Sequence, residues 1–273
     1  MICTLGDLLL DVIVRAPQPL AAGADTSVET RVTSGGQAAN VAAWVVALGE
    51  AARFIGKQAD DEGGALVRSL LERRGVELAG PRAEGKTGVV VSFVRPDGER
   101  SMATDRGIAP ELRAEELDPA WLAGSRSLHL SGYGLLVEPI AGAALAAARL
   151  AREEGAQVSV DLSSWSAIRE HGPQRFRARL EELEPNVIFA NEPEWELVGG
   201  AHGLSETAVV KRGSHGVTVF GANGVEEHES AGGEVVDTTG AGDALAAGYI
   251  VGGIEVGLEA AARCIGQLGA VPA

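Results

Sequence analysis

Several features that mark other protein classes are scarce or missing in this 273-residue chain. Its two cysteines, Cys3 and Cys264, lie far apart in apolar surroundings and lack metal-ligand spacing, which favours buried free thiols in a reducing compartment. No apolar run approaches the roughly 18 residues of a membrane helix. The N-terminus lacks the basic region of a signal peptide. We therefore expect a cytoplasmic protein that has no membrane partner.

Positive charge and aromatic side chains are also scarce. The formal net charge is −15, which makes nucleic acid an improbable partner and requires any anionic substrate to find local Arg, Lys, Mg²⁺ or backbone N–H groups. Aromatic residues make up only 4% of a chain that is 45% hydrophobic, so the core must consist of Ala, Val and Leu. This composition is typical of a globular protein with a sizeable core.

Two nucleotide-binding motifs are absent. The chain contains no Gly-x-x-x-x-Gly-Lys-Ser/Thr sequence, which excludes a P-loop enzyme. A dinucleotide-dependent oxidoreductase would carry Gly-x-Gly-x-x-Gly after its first strand, but Gly6 is followed by Asp7, Leu8 and Leu9. Oxidoreductase chemistry therefore remains only a weak alternative.

The hydrophobic pattern predicts strands that alternate with helices over most of the chain. Such alternation indicates an α/β fold, with a doubly wound, mostly parallel sheet flanked by helices. An early hairpin around Pro96-Asp97-Gly98 interrupts it. We therefore expect one domain over residues 1–273, carrying a small β lid built from segments near 7–32 and 87–104.

The most informative stretch runs from Asp237 to Ala244 and reads Asp-Thr-Thr-Gly-Ala-Gly-Asp-Ala. Its glycines permit a tight turn, and the helix that follows offers unpaired N–H groups to an anion. Asp243 lies inside this anion site, where it would repel phosphate. Its position is explained if it accepts a proton from a hydroxyl that attacks a phosphoryl group. The alternative is a glycine-rich turn in which Asp243 only caps the helix.

All eight positions of this stretch resemble the C-terminal signature of the ribokinase-like (PfkB-type) carbohydrate kinases. The resemblance implies that Asp243 is the catalytic base and that the backbone of Gly240, Ala241 and Gly242 forms the anion hole. It also implies a ribokinase-like fold whose β lid closes over the sugar. We further assign Thr239 to nucleotide binding and leave open a monovalent cation, K⁺, at Asp237.

The same resemblance predicts a sugar site in the first half of the chain. Gly35, Gly36 and Asn40 match a Gly-Gly-x-x-x-Asn motif that contacts sugar hydroxyls. Two acids, Asp7 and Asp11, follow the first strand, and Asp11 is preferred because it holds the spacing of the family's sugar-binding carboxylate. Asn40 offers a donor and an acceptor, which suits a diol. Arg106 would meet a carboxylate if the substrate is an acid sugar; a surface ion pair is the alternative. The glycines could instead serve only close helix–strand packing.

ATP and Mg²⁺ are the cofactors that the resemblance implies. Lys211, Gly213 and Gly216 lie in a loop similar to the family's nucleotide loop, for which a plain hairpin is the alternative. Asn191 and Glu194 match an Asn-x-x-Glu motif that organises Mg²⁺ through water; an ordinary helix start would also explain this sequence.

Two departures from the family pattern leave the nucleotide preference open. The chain is short around Gly199 to Thr207, and Cys264 occupies a position where an Asn-containing nucleotide helix is common. The leading interpretation is an ATP-dependent kinase for a sugar or sugar-like alcohol. A nucleoside kinase and a non-catalytic sugar sensor of the same fold remain alternatives, and a homodimer through the β lid stays open.

Overall fold

The computed structural model describes residues 1–95, 100–200 and 203–273. The predicted turn at Pro96-Asp97-Gly98 lies outside the described residues. Numbered along the chain, the strands are β1 (Ile2–Leu5), β2 (Leu9–Arg15), β3 (Glu29–Gly35), β4 (Ala52–Ile55), β5 (Gln58–Ala59), β6 (Glu77–Ala79), β7 (Arg82–Ala83), β8 (Thr87–Val94), β9 (Arg100–Gly107), β10 (Ser127–Ser131), β11 (Gln157–Asp161), β12 (Val187–Asn191), β13 (Thr207–Lys211), β14 (Val217–Gly221) and β15 (Gly224–His228). The α-helices are α1 (Gln37–Ala47), α2 (Glu62–Glu72), α3 (Tyr133–Leu136), α4 (Ile140–Glu153), α5 (Trp165–His171), α6 (Pro173–Leu183), α7 (Glu192–Leu197), α8 (Ala241–Gly252) and α9 (Ile254–Ile265).

The larger sheet has the order β15-β14-β13-β12-β11-β10-β1-β4-β6. Its strands from β13 to β6 are parallel, and β14 and β15 add an antiparallel hairpin at one edge. After β1 the chain builds β4 and β6 on one side, and β10 and the later strands extend the other side. The strand order therefore reverses between β1 and β10, where open α/β sheets usually bind ligands.

A smaller sheet has the order β3-β2-β8-β9. Strand β2 pairs with β3 antiparallel and with β8 parallel, and β9 closes the sheet against β8. Together the two sheets confirm the predicted fold class of a mostly parallel sheet flanked by helices, with a small additional β-sheet.

Apolar clusters cover both faces of the larger sheet. Helices α4 and α6 pack on one face, and α1, α2, α8 and α9 pack on the other. The inner face of α4 consists of small side chains at helical spacing, namely Ala143, Ala144, Ala147, Ala148 and Ala151. Small residues let a helix lie close to a sheet, which explains how the core is filled with so few aromatic rings.

The apolar pattern of the sequence predicts helices that start at Leu66 and Leu258, and in the structure both begin earlier. Helix α2 starts at Glu62 because the Asp61 side chain accepts a hydrogen bond from Gly64 N at 2.7 Å and caps it. Helix α9 starts at Ile254 and packs closely on α8. An added Cβ on Gly257 would lie 2.9 Å from Leu245 O, so only glycine permits this approach.

Within the described residues, no helix combines the length and apolar character needed to cross a membrane.

Candidate active site

A cleft of about 770 Å³ opens at the carboxyl ends of the parallel strands and extends under the smaller sheet. It lies at the reversal of strand order, with Asp7 following β1 and Ser131 ending β10. The cleft is lined by almost all of the predicted site residues, namely Asp11, Gly36, Asn40, Arg106, Asn191, Glu194, Lys211, Gly213, Gly216, Thr239, Gly240, Ala241, Gly242 and Asp243. Residues distributed over the whole sequence therefore meet in one place.

The turn before α8 is held rigidly. Asp237 is fully buried; its Oδ1 accepts hydrogen bonds from Thr239 N at 2.9 Å and Thr239 Oγ1 at 2.6 Å, and its Oδ2 accepts one from Gly269 N at 2.9 Å. Gly240 has φ 79°, and an added Cβ would lie 2.5 Å from Ala270 Cα. This position requires glycine both for its backbone angle and for its contact. The turn thus brings the start of α8, whose first N–H groups have no partner inside the helix, to the lining of the cleft.

Asp243 lies in the first turn of α8 and contacts a residue from the other half of the fold. Asn40 Nδ2, on α1, donates a hydrogen bond to Asp243 Oδ2 at 2.8 Å, across 203 residues of sequence. Asn40 is only 6% exposed, and no hydrogen bond to its buried Oδ1 is present among the described residues. Asn40 therefore orients the carboxylate and keeps an acceptor for a further donor.

A lysine and two carboxylates form a buried cluster beside this turn. Lys211 Nζ, at the end of β13, lies 2.5 Å from Asp161 Oδ2, at the end of β11. Burial lowers the pKa of Lys211, but Asp161, Glu194 and Asp243 together outweigh burial and raise the pKa. An added Cβ on Gly242 would lie 3.0 Å from Lys211 Nζ. A charged ammonium group therefore lies against the anion-binding turn.

Asn191 and Glu194 form a capping box at the start of α7. Asn191 Oδ1 accepts from Glu194 N at 2.9 Å, and the Glu194 carboxylate accepts from Asn191 N at 2.9 Å and from Asn191 Nδ2 at 2.8 Å. Burial raises the pKa of Glu194, Lys211 lowers it, and Asp161 raises it, so that the net shift is upward. The amide of Asn191 is thus engaged in holding Glu194 in place.

Under the smaller sheet, Arg106 is bonded to Asp7 in a bidentate ion pair. Arg106 Nε and Nη2 donate to Asp7 Oδ2 at 2.6 Å and to Asp7 Oδ1 at 2.9 Å, and Nη2 also donates to Tyr133 O at 3.1 Å. The guanidinium carbon lies 5.6 Å from the centre of the Tyr133 ring. The sequence hypothesis considered both an acid-sugar contact and an ion pair for Arg106, and the structure places it in an ion pair that faces the cleft.

Asp11 projects from β2 into the cleft and is only 5% exposed. Ser92 Oγ, on β8, lies 3.4 Å from Asp11 Oδ1. Gly35 faces Asp11 across the β2–β3 pair, and an added Cβ there would lie 2.8 Å from Asp11 Cβ. Gly36 has φ 98°, and its Cβ would lie 2.1 Å from Asp7 O. Close packing therefore explains both glycines, and they also bring α1 next to the cleft.

The loop after Lys211 turns sharply on two glycines that line the cleft. Gly213 and Gly216 have φ values of 59° and 81°. An added Cβ on Gly216 would lie 2.0 Å from His228 O. The side chain of Arg212 in this loop pairs with Glu227, with Nη1 3.3 Å from Oε1. The predicted nucleotide loop therefore borders the same cleft as the turn.

Two carboxylates that belong to the cleft were not among the predicted site residues: Asp161 was not considered, and Asp7 was set aside in favour of Asp11. Asp161 is 1% exposed and Asp7 is 5% exposed, and each holds one of the two basic side chains that line the cleft in the described part of the chain. Both follow or end buried apolar strands of the parallel sheet. An acid in such a position was the available signal, since ligands bind outside the carboxyl ends of these strands.

Comparisons with known proteins agree with this geometry. Residues 1–267 match the model of the pfkB family carbohydrate kinases. The chain is 33% identical over 279 residues to an "ATP-dependent ribose-1-phosphate kinase" of Halopiger xanaduensis, covering 96% of this chain and 90% of that protein. It is 28% identical to Fructokinase-1 of Zea mays, covering 90% and 80% of the two chains.

A solved structure is similar over nearly the whole chain. The adenosine kinase from Sinorhizobium meliloti superposes with a TM-score of 0.88 at 26% identity, covering 99% of this chain and 95% of that chain. These findings confirm the family predicted from the signature around Asp243 and identify the protein as an enzyme. The chain belongs to the pfkB family of carbohydrate kinases.

Proposed function

We propose that this kinase transfers the γ-phosphoryl group of ATP to a hydroxyl of a sugar or sugar-like substrate, with Asp243 as the general base. The observation that carries the proposal is the contact between Asn40 and Asp243. It holds an acidic oxygen inside the anion turn, between the polar part of the cleft and the nucleotide loop. An acceptor at this point can take the proton of an attacking hydroxyl.

The turn and Lys211 would stabilise the charge of the transferring group. The residues from Gly240 to Asp243 line the cleft at the start of α8, and the Lys211 ammonium lies against Gly242. Fixed donors and a cation at the place where charge develops are the main source of catalysis in phosphoryl transfer. We assign the neighbouring Thr239, Gly213 and Gly216 to the nucleotide.

The donor set near the phosphates suits Mg²⁺. Asp161 and Glu194 supply hard carboxylate oxygens, and Asn191 fixes Glu194, so that Mg²⁺ could bind through water and the nucleotide phosphates. No group of three or more metal-ligating side chains exists within the described ranges, which fits an ion shared with substrate phosphates. When bound, Mg²⁺ would neutralise phosphate charge. A monovalent cation such as K⁺ near Asp237 stays a prediction.

The polar part of the cleft suits a neutral sugar best. Asp11, Asn40 and the backbone at Gly36 line this part of the cleft and offer groups that can bond hydroxyls. Arg106 is the basic side chain that the smaller sheet contributes to the cleft, and its charge is compensated by Asp7. The relative named as a fructokinase has a neutral sugar in its name.

A sugar phosphate or another anionic sugar is the second candidate. The relative named as a ribose-1-phosphate kinase and the position of Arg106, on β9 of the smaller sheet and in the cleft lining, favour it. A homodimer through this sheet also stays a prediction. It is supported by the cross-strand apolar row Val32–Val12–Val91 on the face opposite Asp11, and sedimentation analysis would test it.

Replacement of the base tests the proposal. Asp243→Asn keeps the shape of the side chain but cannot accept the proton. We expect turnover of the best sugar to fall ~10²–10⁴-fold, while nucleotide binding, measured by isothermal titration, persists. Asp25→Asn, at an exposed position, is the matched control and should behave as wild type. Turnover of Asp243→Asn within a few-fold of wild type would contradict the assignment.

A further inference from the structure

One residue in the lining of the cleft has a backbone angle that residues with a side chain rarely adopt. Ser163, two residues after β11, has φ 74°. Among the described residues other than glycine, only Glu184 shares a positive φ, and it is an exposed residue that ends α6 outside the cleft lining. Such a conformation persists only where surrounding contacts enforce it, and it is common at functional sites. Glycine would adopt the angle freely, so the side chain of Ser163 requires an explanation.

The hydroxyl group of Ser163 joins three elements that meet at the cleft. Its oxygen accepts a hydrogen bond from Gly132 N, after β10, at 2.9 Å. It also lies 2.5 Å from Gln37 Oε1 on α1 and 2.9 Å from Asp161 O at the end of β11, so its single proton has two acceptors within reach. The contact with Gln37 spans 126 residues of sequence. The hydroxyl group therefore connects α1 to the carboxyl ends of β10 and β11.

The backbone of Ser163 contacts the ion pair of Asp161 and Lys211. Ser163 N donates to Asp161 Oδ1 at 3.0 Å, while Asp161 Oδ2 lies 2.5 Å from Lys211 Nζ. The two oxygens of one buried carboxylate are thus divided between the strained residue and the ammonium group. Because a carboxylate is planar and rigid, a change in the direction of the Ser163 N–H group would also move the oxygen that holds Lys211.

Ser163 therefore lies between the two groups to which we assign the phosphoryl transfer. On one side, Gln37 lies three residues before Asn40 on α1, and Asn40 donates to Asp243 at 2.8 Å. Residues three apart are neighbours on one face of a helix, and both of these line the cleft. On the other side is Lys211. Transfer needs the base and the cation at a fixed separation, since a displacement of about 1 Å can cost ~10²-fold in rate.

We propose that Ser163 is a positioning residue for phosphoryl transfer. Its hydroxyl group ties α1, which orients the base Asp243, to the strand end that holds Lys211, and it thereby fixes the distance between the base and the cation. Serine is kept at this strained angle because glycine would supply the angle but not the hydroxyl group. The inference rests on the proposed function, because it takes Asp243 as the base and Lys211 as the group that stabilises the phosphoryl charge.

Ser163→Gly tests the hydroxyl group without adding strain. Glycine keeps the backbone N–H for Asp161 and adopts the same angle freely. We expect kcat with the best sugar to fall about 10- to 100-fold, while the KM values for ATP and for the sugar stay close to those of wild type. A purely structural role would lower the melting temperature and leave kcat of the folded enzyme unchanged. A kcat close to wild type, or a loss confined to KM, would overturn the inference.

Glu184→Gly is the matched control, because it relieves the other positive angle outside the cleft lining. It should leave kcat and both KM values unchanged. A similar fall in kcat for this variant would mean that the loss in Ser163→Gly does not come from the hydroxyl group, and it would also overturn the inference.

A double-mutant cycle tests the connection to α1. Gln37→Met removes the acceptor of the Ser163 hydroxyl group and keeps a side chain of similar size. If Ser163 acts through Gln37, the double variant should have the same kcat at saturating sugar as Ser163→Gly alone. Losses in kcat that multiply would show that the two residues act separately, and would overturn the proposed link.

Failure of this inference can be distinguished from failure of the proposed function. Full turnover by Asp243→Asn would contradict the function. Wild-type kinetics of Ser163→Gly beside an inactive Asp243→Asn would contradict only the role of Ser163.

Discussion

The two ends of the cleft differ in composition, and under the proposed function they would recognise different ligands by different means. The polar end, next to the smaller sheet, contains the largely buried ion pair of Asp7 with Arg106 and the buried carboxylate of Asp11. The other end, here called the apolar end, is lined by Val217 of β14 and by Leu258, Ala261, Ala262 and Ile265 of α9. Buried polar groups discriminate strongly because a mismatched ligand leaves them unpaired, whereas apolar side chains do not. Loss of one buried polar group should therefore change specificity more than loss of one apolar side chain.

Between the two ends lies a charged centre, which under the proposed function would act on both ligands. Lys211 touches the anion turn on one side and Asp161 on the other, and Glu194 lies close enough to contribute to its raised pKa. Loss of a residue here should affect both ligands at once, while loss of a residue at either end should affect one ligand. This expectation gives an order of predicted effects.

Replacement of Lys211 should have the largest effect on the folded protein. Lys211→Met removes the cation from between Asp161 and Glu194 and leaves two buried carboxylates uncompensated. We expect the free energy of unfolding to fall by about 3–5 kcal/mol in urea titrations, with turnover lost for every donor and sugar. Added Mg²⁺ should restore part of the stability, because it can replace the missing charge. A variant as stable as wild type would show that the cluster does not depend on Lys211.

Acid should lower the free energy of unfolding through a buried histidine in the larger sheet, on which both ends of the cleft depend. His129 on β10 is fully buried with Nδ1 2.9 Å from Ser159 Oγ, and burial lowers its pKa from 6.5 to about 4. Below pH 6.5 the unfolded chain gains a proton that the folded protein does not, so this stabilising contribution is lost as the pH falls to about 4. The free energy of unfolding should therefore fall by about 3 kcal/mol between pH 6.5 and pH 4 from this group alone. His129→Gln should flatten the pH dependence of unfolding in this window; an unchanged slope would contradict the cause.

Two substitutions at the polar end should be separable in kinetics. If Asp11 binds the sugar as proposed, Asp11→Ala should raise the KM for the sugar about 10- to 100-fold, from a loss of ~1–3 kcal/mol, and leave the KM for ATP unchanged. Asn40→Ala should do the same and also lower kcat, because Asn40 orients Asp243 through the 2.8 Å contact. Equal effects of the two variants on kcat would mean that this contact does not influence the base.

Much of this arrangement could be predicted from the sequence, because local patterns carry it. The glycines that shape the turn and the acid Asp243 all lie within the eight residues from Asp237 to Ala244. The alternation of strands and helices along the chain predicts the parallel sheet. The end of each element was less certain. The cap at Asp61 extends α2 beyond its apolar pattern, and α5 consists of a short polar segment that shows little periodicity.

Pairings across the fold could not be predicted. The contact between Asn40 and Asp243 spans 203 residues, and that between Asp7 and Arg106 spans 99. A sequence identifies each side chain as a candidate ligand for substrate, but only the packing of distant elements decides which candidates bind one another. For this reason the sequence made Arg106 a candidate for binding an anionic substrate, whereas in the structure it forms an ion pair with Asp7.

The smallest expected effect concerns this last pair, and it decides what Arg106 does. If Arg106 only holds Asp7, then Arg106→Gln and Asp7→Asn should each raise the KM of a neutral sugar about tenfold, roughly 1.4 kcal/mol, and the double variant should be no worse than either single variant. If Arg106 also contacts an anionic sugar, the double variant should show the same rise in KM for a sugar phosphate as Arg106→Gln alone. Its rise in KM for fructose should be smaller than its rise for the sugar phosphate. The measurement is a double-mutant cycle on both substrates. Additive losses on the neutral sugar would show that the two residues act separately, since partners in one ion pair must be coupled.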